Sequence, residues 1–444
     1  MKFTAPYLIL LCLIAYFPFM VMQSKEKNKV YLGYILFLLP FMIFDLMPKE
    51  EIFTVFDILS YGYLGFFIYY NKPGKNSVYG LLGYLLLLLL LIGVFNSEFV
   101  FRSLMSFVRF MSIVVFAKVL LTELSNDRTY YKTVFRNLKI IMFIAISFMV
   151  MQMIFGLKIS VEANFISPYY MNPNIDTQEG IRYPSYFQDP QKFAQFIAAI
   201  SFLFLIREKD TSPRVYYFNL ACFLVAVVSM FYTGGRGALL GLLLGLGFLF
   251  LFFPVRLKLM FAVPVVIVAT IISLYKQNFV VFNRESNTAS SLAERAGFWL
   301  DALTIFEKHP LLGIGVGNYQ WYTYMHKPDN FWFSQGEITF FDQPESGYLK
   351  YLIEFGIFGF IVFMCFLIIP MTRAVYIYLA QHRDNRLIIL TASLISWMIG
   401  FITVCSLTDS RILIVITTLV CLLIHLTSQT VTKAYPQHGK FNFA

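Results

Sequence analysis

The sequence predicts an all-α fold: a polytopic transmembrane helical protein of about 12–14 spans, with one long extracytoplasmic loop carrying amphipathic helices. Three observations carry that prediction. Of 444 residues, 58% are hydrophobic and only 14% charged, whereas a soluble globular chain is about half apolar and a quarter charged. Apolar runs such as 81–94, 238–253 and 355–369 are too long for a soluble core and lack the alternation of barrel strands. One stretch, Lys276 to Glu345, interrupts the hydrophobicity with polar and aromatic residues.

Taken in order, the apolar runs predict spans near 5–22, 30–47, 52–70, 78–95, 100–121, 138–156, 190–206, 215–233, 238–253, 259–275, 346–370, 387–407 and 412–428. The first run has no small-residue cleavage site behind it and reads as a span rather than a removed signal. These runs divide the chain into N-terminal helices (1–156), helices with an outer loop at 157–189 and a tight turn around Arg236 (157–275), the large loop (276–345) and C-terminal helices (346–444). Lysines and arginines gather in one set of alternate loops, among them Lys25/Lys27/Lys29, Arg128/Lys132/Arg136 and Arg207/Lys209/Arg214. By the positive-inside rule that set is cytoplasmic. The 157–189 loop, the 233–237 turn, the 276–345 loop and Asp409–Arg411 then face outward, and the C-terminus faces the cytoplasm.

The net charge of +10 therefore reports topology rather than nucleic-acid binding. All five cysteines lie inside apolar runs, which excludes a disulfide framework or a zinc site. His309, His326 and the carboxylates show no metal-ligand spacing.

Four outward segments carry chemistry. Tyr232-Thr233-Gly234-Gly235-Arg236-Gly237 places an arginine at the start of an apolar helix. Unpaired N–H groups and a planar guanidinium there suit a phosphate; the same residues also read as a snorkelling arginine on a short loop. Asp189-Pro190 reads as N-cap and N1 of a helix, with Arg182 just outside it. From Ser291 through Glu294-Arg295 and Trp299 to His309, helical spacing predicts an amphipathic surface helix stopped by Pro310. Gly313, Gly315 and Gly317 follow, a string suited to backbone pressed against a helix or a ligand. Glu345 stands at the mouth of the next span, either as a general base for an incoming hydroxyl or as a carboxylate favouring the helix dipole. Trp299, Tyr319, Trp321 and Trp332, with Asp342 beside them, are candidate sugar contacts; such aromatics also anchor membrane interfaces.

These motifs, in this order, resemble the O-antigen polymerase and O-antigen ligase superfamily. Gly235-Arg236-Gly237 resembles that family's Ser-Arg-Gly turn. Arg295, Trp299, Pro310, Gly313, Gly315 and Gly317 match its loop helix and glycine string. Phe187, Asp189, Pro190, Gln191 and Ala194 resemble its Phe-x-Asp-Pro-Asn-x-x-Ala segment. Glu345-Ser346, then nine residues and Gly356-Ile357-Phe358-Gly359, follows its His-Asn/Ser and Gly-x-x-Gly spacing. Gly235 departs from serine, Gln191 from asparagine, and Glu345 from the histidine of the ligases. An acidic residue at that position looks more like the polymerases of surface polysaccharide.

The resemblance implies a GT-C-like membrane glycosyltransferase in the bacterial plasma (inner) membrane, with its site on the periplasmic face. Its substrate would be a glycan on undecaprenyl diphosphate within membrane lipid, and it would need no cofactor. Arg182, Arg236 and Arg295 would bind the diphosphate, with Arg236, Arg295 and Glu345 forming the catalytic set. A chain-length regulator is the implied protein partner. The competing expectations are a ligase, which moves finished polymer to lipid A–core or another acceptor, and a flippase of lipid-linked sugar. A flippase would carry inverted repeats and midplane charges, and neither is evident in the sequence.

Overall fold

The computed structural model describes residues 5–44, 53–70, 78–157, 181–187, 189–208, 211–253, 258, 270, 274, 288–326, 331–334, 337–340, 344–380 and 384–434. The chain is a helical bundle. Its N-terminal part comprises α1 (Ala5–Gln23), α2 (Lys27–Phe37), α3 (Val55–Tyr70), α4 (Val78–Phe95), α5 (Val100–Asn126) and α6 (Tyr130–Phe155). Next come α7 (Pro190–Ile200), α8 (Pro213–Thr233) and α9 (Arg236–Phe252). The long loop holds α10 (Thr288–Lys308), α11 (Tyr319–His326) and a hairpin of β1 (Phe331–Ser334) and β2 (Glu337–Phe340). The chain closes with α12 (Gly347–Ala380), α13 (Asn385–Phe401) and α14 (Ser410–Ala434).

Five described helices are long and apolar enough to cross a membrane: α5, α6, α8, α12 and the Ser410–Thr430 part of α14. This is a multi-pass membrane protein. Two expected spans are interrupted. The run 30–47 is helical only through α2, followed by a 3-10 turn at Leu39–Phe41. Pro40 lacks the N–H a continuing helix needs and disfavours helical geometry at the residue before it. In 190–206, α7 ends at Ile200 and tightens into a 3-10 segment, Ser201–Leu205. Conversely, α12 outruns its expected end at 370, and Pro370 lies within it; prolines are tolerated in membrane helices where neighbours re-satisfy the freed carbonyl. The β1–β2 hairpin is an addition to the all-α expectation, with Trp332 opposite Thr339. The expected span 259–275 lies outside the described residues, apart from 270 and 274.

Among the described residues α9 and α13 make the most extensive helix–helix contact, and small residues make it possible. A side chain at Gly241 would meet the Ser396 carbonyl oxygen at 2.1 Å, and one at Gly245 would meet the Ala392 oxygen at 2.9 Å. Gly245 faces Ala392 and Ser396, Gly241 faces Ser396 and Gly400, and Gly237 faces Thr403. In a bilayer, where burial of apolar surface gives helices little net attraction, such stripes let two backbones approach and gain dispersion contacts. The pairing brings the first turn of α9 to the C-terminal end of α13.

Candidate functional site

That end of α13, residues 400–404, is a hub. From α7, Gln195 Nε2 donates to the carbonyls of Gly400 (2.8 Å) and Val404 (3.1 Å). From α9, Gly237 abuts the Thr403 side chain, and Ala238 Cα lies 3.4 Å from the Cβ position of Gly400. From α12, Gly347 abuts the Phe401 ring, and Tyr348 stacks edge-on to it at 5.0 Å. The segments bearing Arg236 and Glu345 therefore converge on one end of one helix, although they are more than a hundred residues apart in the chain.

The arginine turn is built closely. Gly234 has φ +72°, which glycine adopts at least cost, and its missing side chain leaves room for Arg182, whose Cδ lies 3.2 Å from the Cβ position. The Tyr183 N–H donates to the Tyr232 carbonyl at 3.3 Å. Arg182 is buried, while Arg236, the first residue of α9, is exposed. A buried guanidinium under the turn and an exposed one on it put two positive charges beside a helix N-terminus, the arrangement that attracts phosphate. Asp189 caps α7 as expected, accepting from the Gln191 N–H at 2.8 Å, with Pro190 at N1.

The second half of the site is an ion pair. Arg295 of α10 reaches Glu345 at 3.5 Å, both side chains about a quarter exposed. Glu345 has φ +50°, a left-handed conformation uncommon for a residue with a side chain. Such local strain persists where the surroundings over-determine it, frequently at ligand sites.

The glycine string packs against α12, the helix that Glu345 precedes. Ile314 N–H donates to the Ile353 carbonyl (2.9 Å), Gly315 N–H to Glu354 (3.2 Å), and Ile357 N–H to Pro310 (2.8 Å). Gly356 breaks α12 with φ 64°, ψ 179°, a region open essentially to glycine alone. The freed α12 carbonyls are thus satisfied by the loop, and the string presses on a helix rather than a ligand. Its other side meets α4 and α5: Asn318 Nδ2 donates to Ser97 Oγ, and Gly317 abuts Ser106.

The expected sugar contacts separate. Trp299 is half-buried on α10, and its indole N–H has no hydrogen-bond partner among the described residues. Tyr319 is 2% exposed, in a small core with Ala302, Ile305, Ile314, Tyr322 and Ile353. Trp321 carries the Arg102 guanidinium over its ring at 3.8 Å. Trp332 lies on β1 with its side chain undescribed, and Asp342 lies outside the described residues. Among the described residues no cluster of His, Cys, Asp and Glu could hold a metal ion.

One element of the site escaped the sequence reading. Asp409 and Arg411, both fully buried, form a two-pronged pair at 2.7–2.9 Å. Arg411 also donates to the Tyr186 carbonyl and lies 4.5 Å over the Phe187 ring. The pair thereby fixes the segment that carries Arg182. Burial pushes the Asp409 carboxyl up, but Arg411, helped by Lys192, pulls harder, and the group is held below the usual carboxylate range. The Asp-x-Arg spacing was the available signal; on a short turn it read as topology alone.

Residues 220–364 match the family model described as O-antigen ligase. The match runs from within α8 across the arginine turn, α10, the glycine string and Glu345 to the middle of α12, leaving Arg182 outside it. No curated protein matches the chain.

Proposed function

We propose that this chain, placed in the O-antigen ligase and polymerase superfamily by its residues 220–364, polymerises oligosaccharide repeat units carried on undecaprenyl diphosphate into a surface polysaccharide. The observation that carries the proposal is the Arg295–Glu345 pair at the mouth of α12, built around the same α13 end as the Arg182/Arg236 turn. In the transfer, the acceptor hydroxyl oxygen bonds to the anomeric carbon of the donor sugar. The bond from that carbon to the phosphate oxygen breaks, and its electron pair leaves with the lipid diphosphate. The hydroxyl proton passes to Glu345. Arg182, Arg236 and Arg295 meet the negative charge that builds on the diphosphate.

The Glu345 carboxylate is held 3.5 Å from Arg295, which fixes where it points. Its main contribution is then to hold the acceptor hydroxyl in line and receive the proton late, as the C–O bond forms. Trp299, with an unused indole N–H on the same helix as Arg295, is the best placed of the aromatic set to contact sugar. The reaction belongs on the periplasmic face of the bacterial plasma membrane, with the C-terminus cytoplasmic and a chain-length regulator as partner.

The description of the matching family favours a second reading, ligation of finished polymer to lipid A–core or a similar acceptor. Proteoliposomes with lipid-linked repeat units separate the two. A ladder of chain lengths on the carrier supports polymerisation. Transfer of preformed chains to an added acceptor, with no ladder, supports ligation. In either assay Arg236→Ala and Glu345→Gln are expected to lower turnover by at least about a hundredfold, as for removal of a charge-stabilising or acid–base group. Wild-type turnover in both variants would refute this site.

A further inference from the structure

At the other end of α8, about 30 Å along the helix from the arginine turn, a groove of about 490 Å³ opens between α6, residues 204–208, Thr211 and α8. Its walls are mostly apolar, with Phe143, Phe204 and Phe218 prominent. Three cations line one side: Lys132, Arg136 and Lys139 follow one face of α6 at helical spacing. Lys132 and Arg136 are exposed at the rim, and Lys139 sits about 10 Å deeper than Lys132 along the helix. Its ammonium lies 5.7 Å over the Phe204 ring, and among the described residues it has no hydrogen bond or ion pair. From the opposite wall comes Glu208. Its Oε2 is 3.8 Å from Arg386, while its Oε1 is buried without a hydrogen-bond partner among the described residues.

Half-buried Lys139, which feels the charge of Glu208 across the groove, and a Glu208 oxygen buried without a partner among the described residues thus line one mostly apolar groove. Burial of such a carboxylate oxygen without a partner is unfavourable. A ligand that meets both needs an acceptor anion and an N–H cation a few ångströms apart, attached to an apolar chain. We propose that this groove holds a phospholipid bearing both a phosphate and a primary ammonium, of the phosphatidylethanolamine type. Its phosphate accepts from Lys139 and Arg136, its ammonium donates to Glu208 Oε1, and an acyl chain lies along the phenylalanines. A phosphatidylglycerol headgroup satisfies the lysine but brings no cation to Glu208. A choline headgroup has no N–H to donate. Basic pockets between membrane helices are known headgroup sites in general terms; the buried carboxylate is what selects among headgroups here.

The test is lipid competition by native mass spectrometry. The purified full chain is exchanged into nanodiscs with equal parts phosphatidylethanolamine, phosphatidylglycerol and phosphatidylcholine, and the lipid retained after release is counted. The wild type should retain the ethanolamine lipid about tenfold over the other two, the equivalent of one charge-assisted hydrogen bond. Glu208→Gln should abolish that preference while lipid is still retained. Lys139→Gln should lower retention of all three. Equal retention of the three classes by the wild type, or none, overturns the proposal without relying on any variant. Unchanged preference in Glu208→Gln also overturns it, because the selection then does not come from the Glu208 carboxylate.

Discussion

Gly235 is the residue at which this chain departs from the Ser-Arg-Gly turn it otherwise resembles. A Cβ at that position would lie 2.4 Å from the Cβ of Ala194, a distance no two carbon atoms tolerate without a shift. The turn is therefore pressed onto α7, and glycine allows Arg236 to start α9 where it does. Gly235→Ser is expected to displace the turn and lower the proposed glycan transfer severalfold, in line with the effect of ångström-scale misplacement of a group at a reacting centre. Adding Ala194→Gly should restore much of the loss. A fully active Gly235→Ser enzyme, measured at wild-type protein levels in proteoliposomes, would contradict the close packing. At this scale the Asp189 cap was legible from residue type and position. The contact between Gly235 and Ala194 was not, because it joins residues forty apart whose side chains are absent or minimal.

Among elements, the α9–α13 pair decides where Arg236 stands. Gly241→Leu would drive a side chain into the Ser396 carbonyl at 2.1 Å, an overpacking that costs about 1–3 kcal/mol or more where backbone has to move. Gly247, on the same helix with nothing within 4 Å, is the control. Thermal unfolding in detergent should fall by several degrees for Gly241→Leu and stay near wild type for Gly247→Leu. Equal melting of the two would argue that the stripe does not hold the helices together. Periodicity and capping made α10 and α7 readable in advance. The shortening of α2 traces to Pro40, a visible breaker within an otherwise continuous apolar run. The break in α12 at Gly356 is different in kind: the glycine string 40 residues upstream supplies the hydrogen bonds that make it tolerable, and no local pattern reports that.

For the whole molecule, the Asp409–Arg411 pair ties the last helix hairpin to the segment 182–187. The charge state of Asp409 makes the tie pH-dependent. Its folded carboxyl is held below the usual range by Arg411, so it contributes stability that is fully present above the ordinary carboxylate value of about 4. That contribution is lost as pH falls through the lower folded value. Thermal stability owed to this pair should thus be flat from neutral pH down to about 5 and decline only in stronger acid. Asp409→Asn should destabilise by about 3–5 kcal/mol, because a buried guanidinium is left without its counter-charge. It should also flatten the acid limb of the stability curve. An Asp409→Asn protein whose melting temperature matches wild type at pH 7 would remove the pair from this role.

The sequence by itself determined the membrane class and the amphipathic helix with its proline stop, and it led to the expectation that Arg182, Arg236, Arg295 and Glu345 face one side. All of these follow from hydropathy, charge and spacing along short stretches of chain. Only the tertiary structure decided which groups meet. It paired Arg295 with Glu345, laid Arg182 under Gly234, gathered α7, α9 and α12 on one end of α13, and turned Asp409–Arg411 from a topological marker into an anchor. It also placed Tyr319 in a core and Trp321 under an arginine. The reason is physical: helical pattern is a property of neighbours within a few turns, whereas these contacts depend on how closely distant backbones approach, and that is set by small residues whose partners no local window contains.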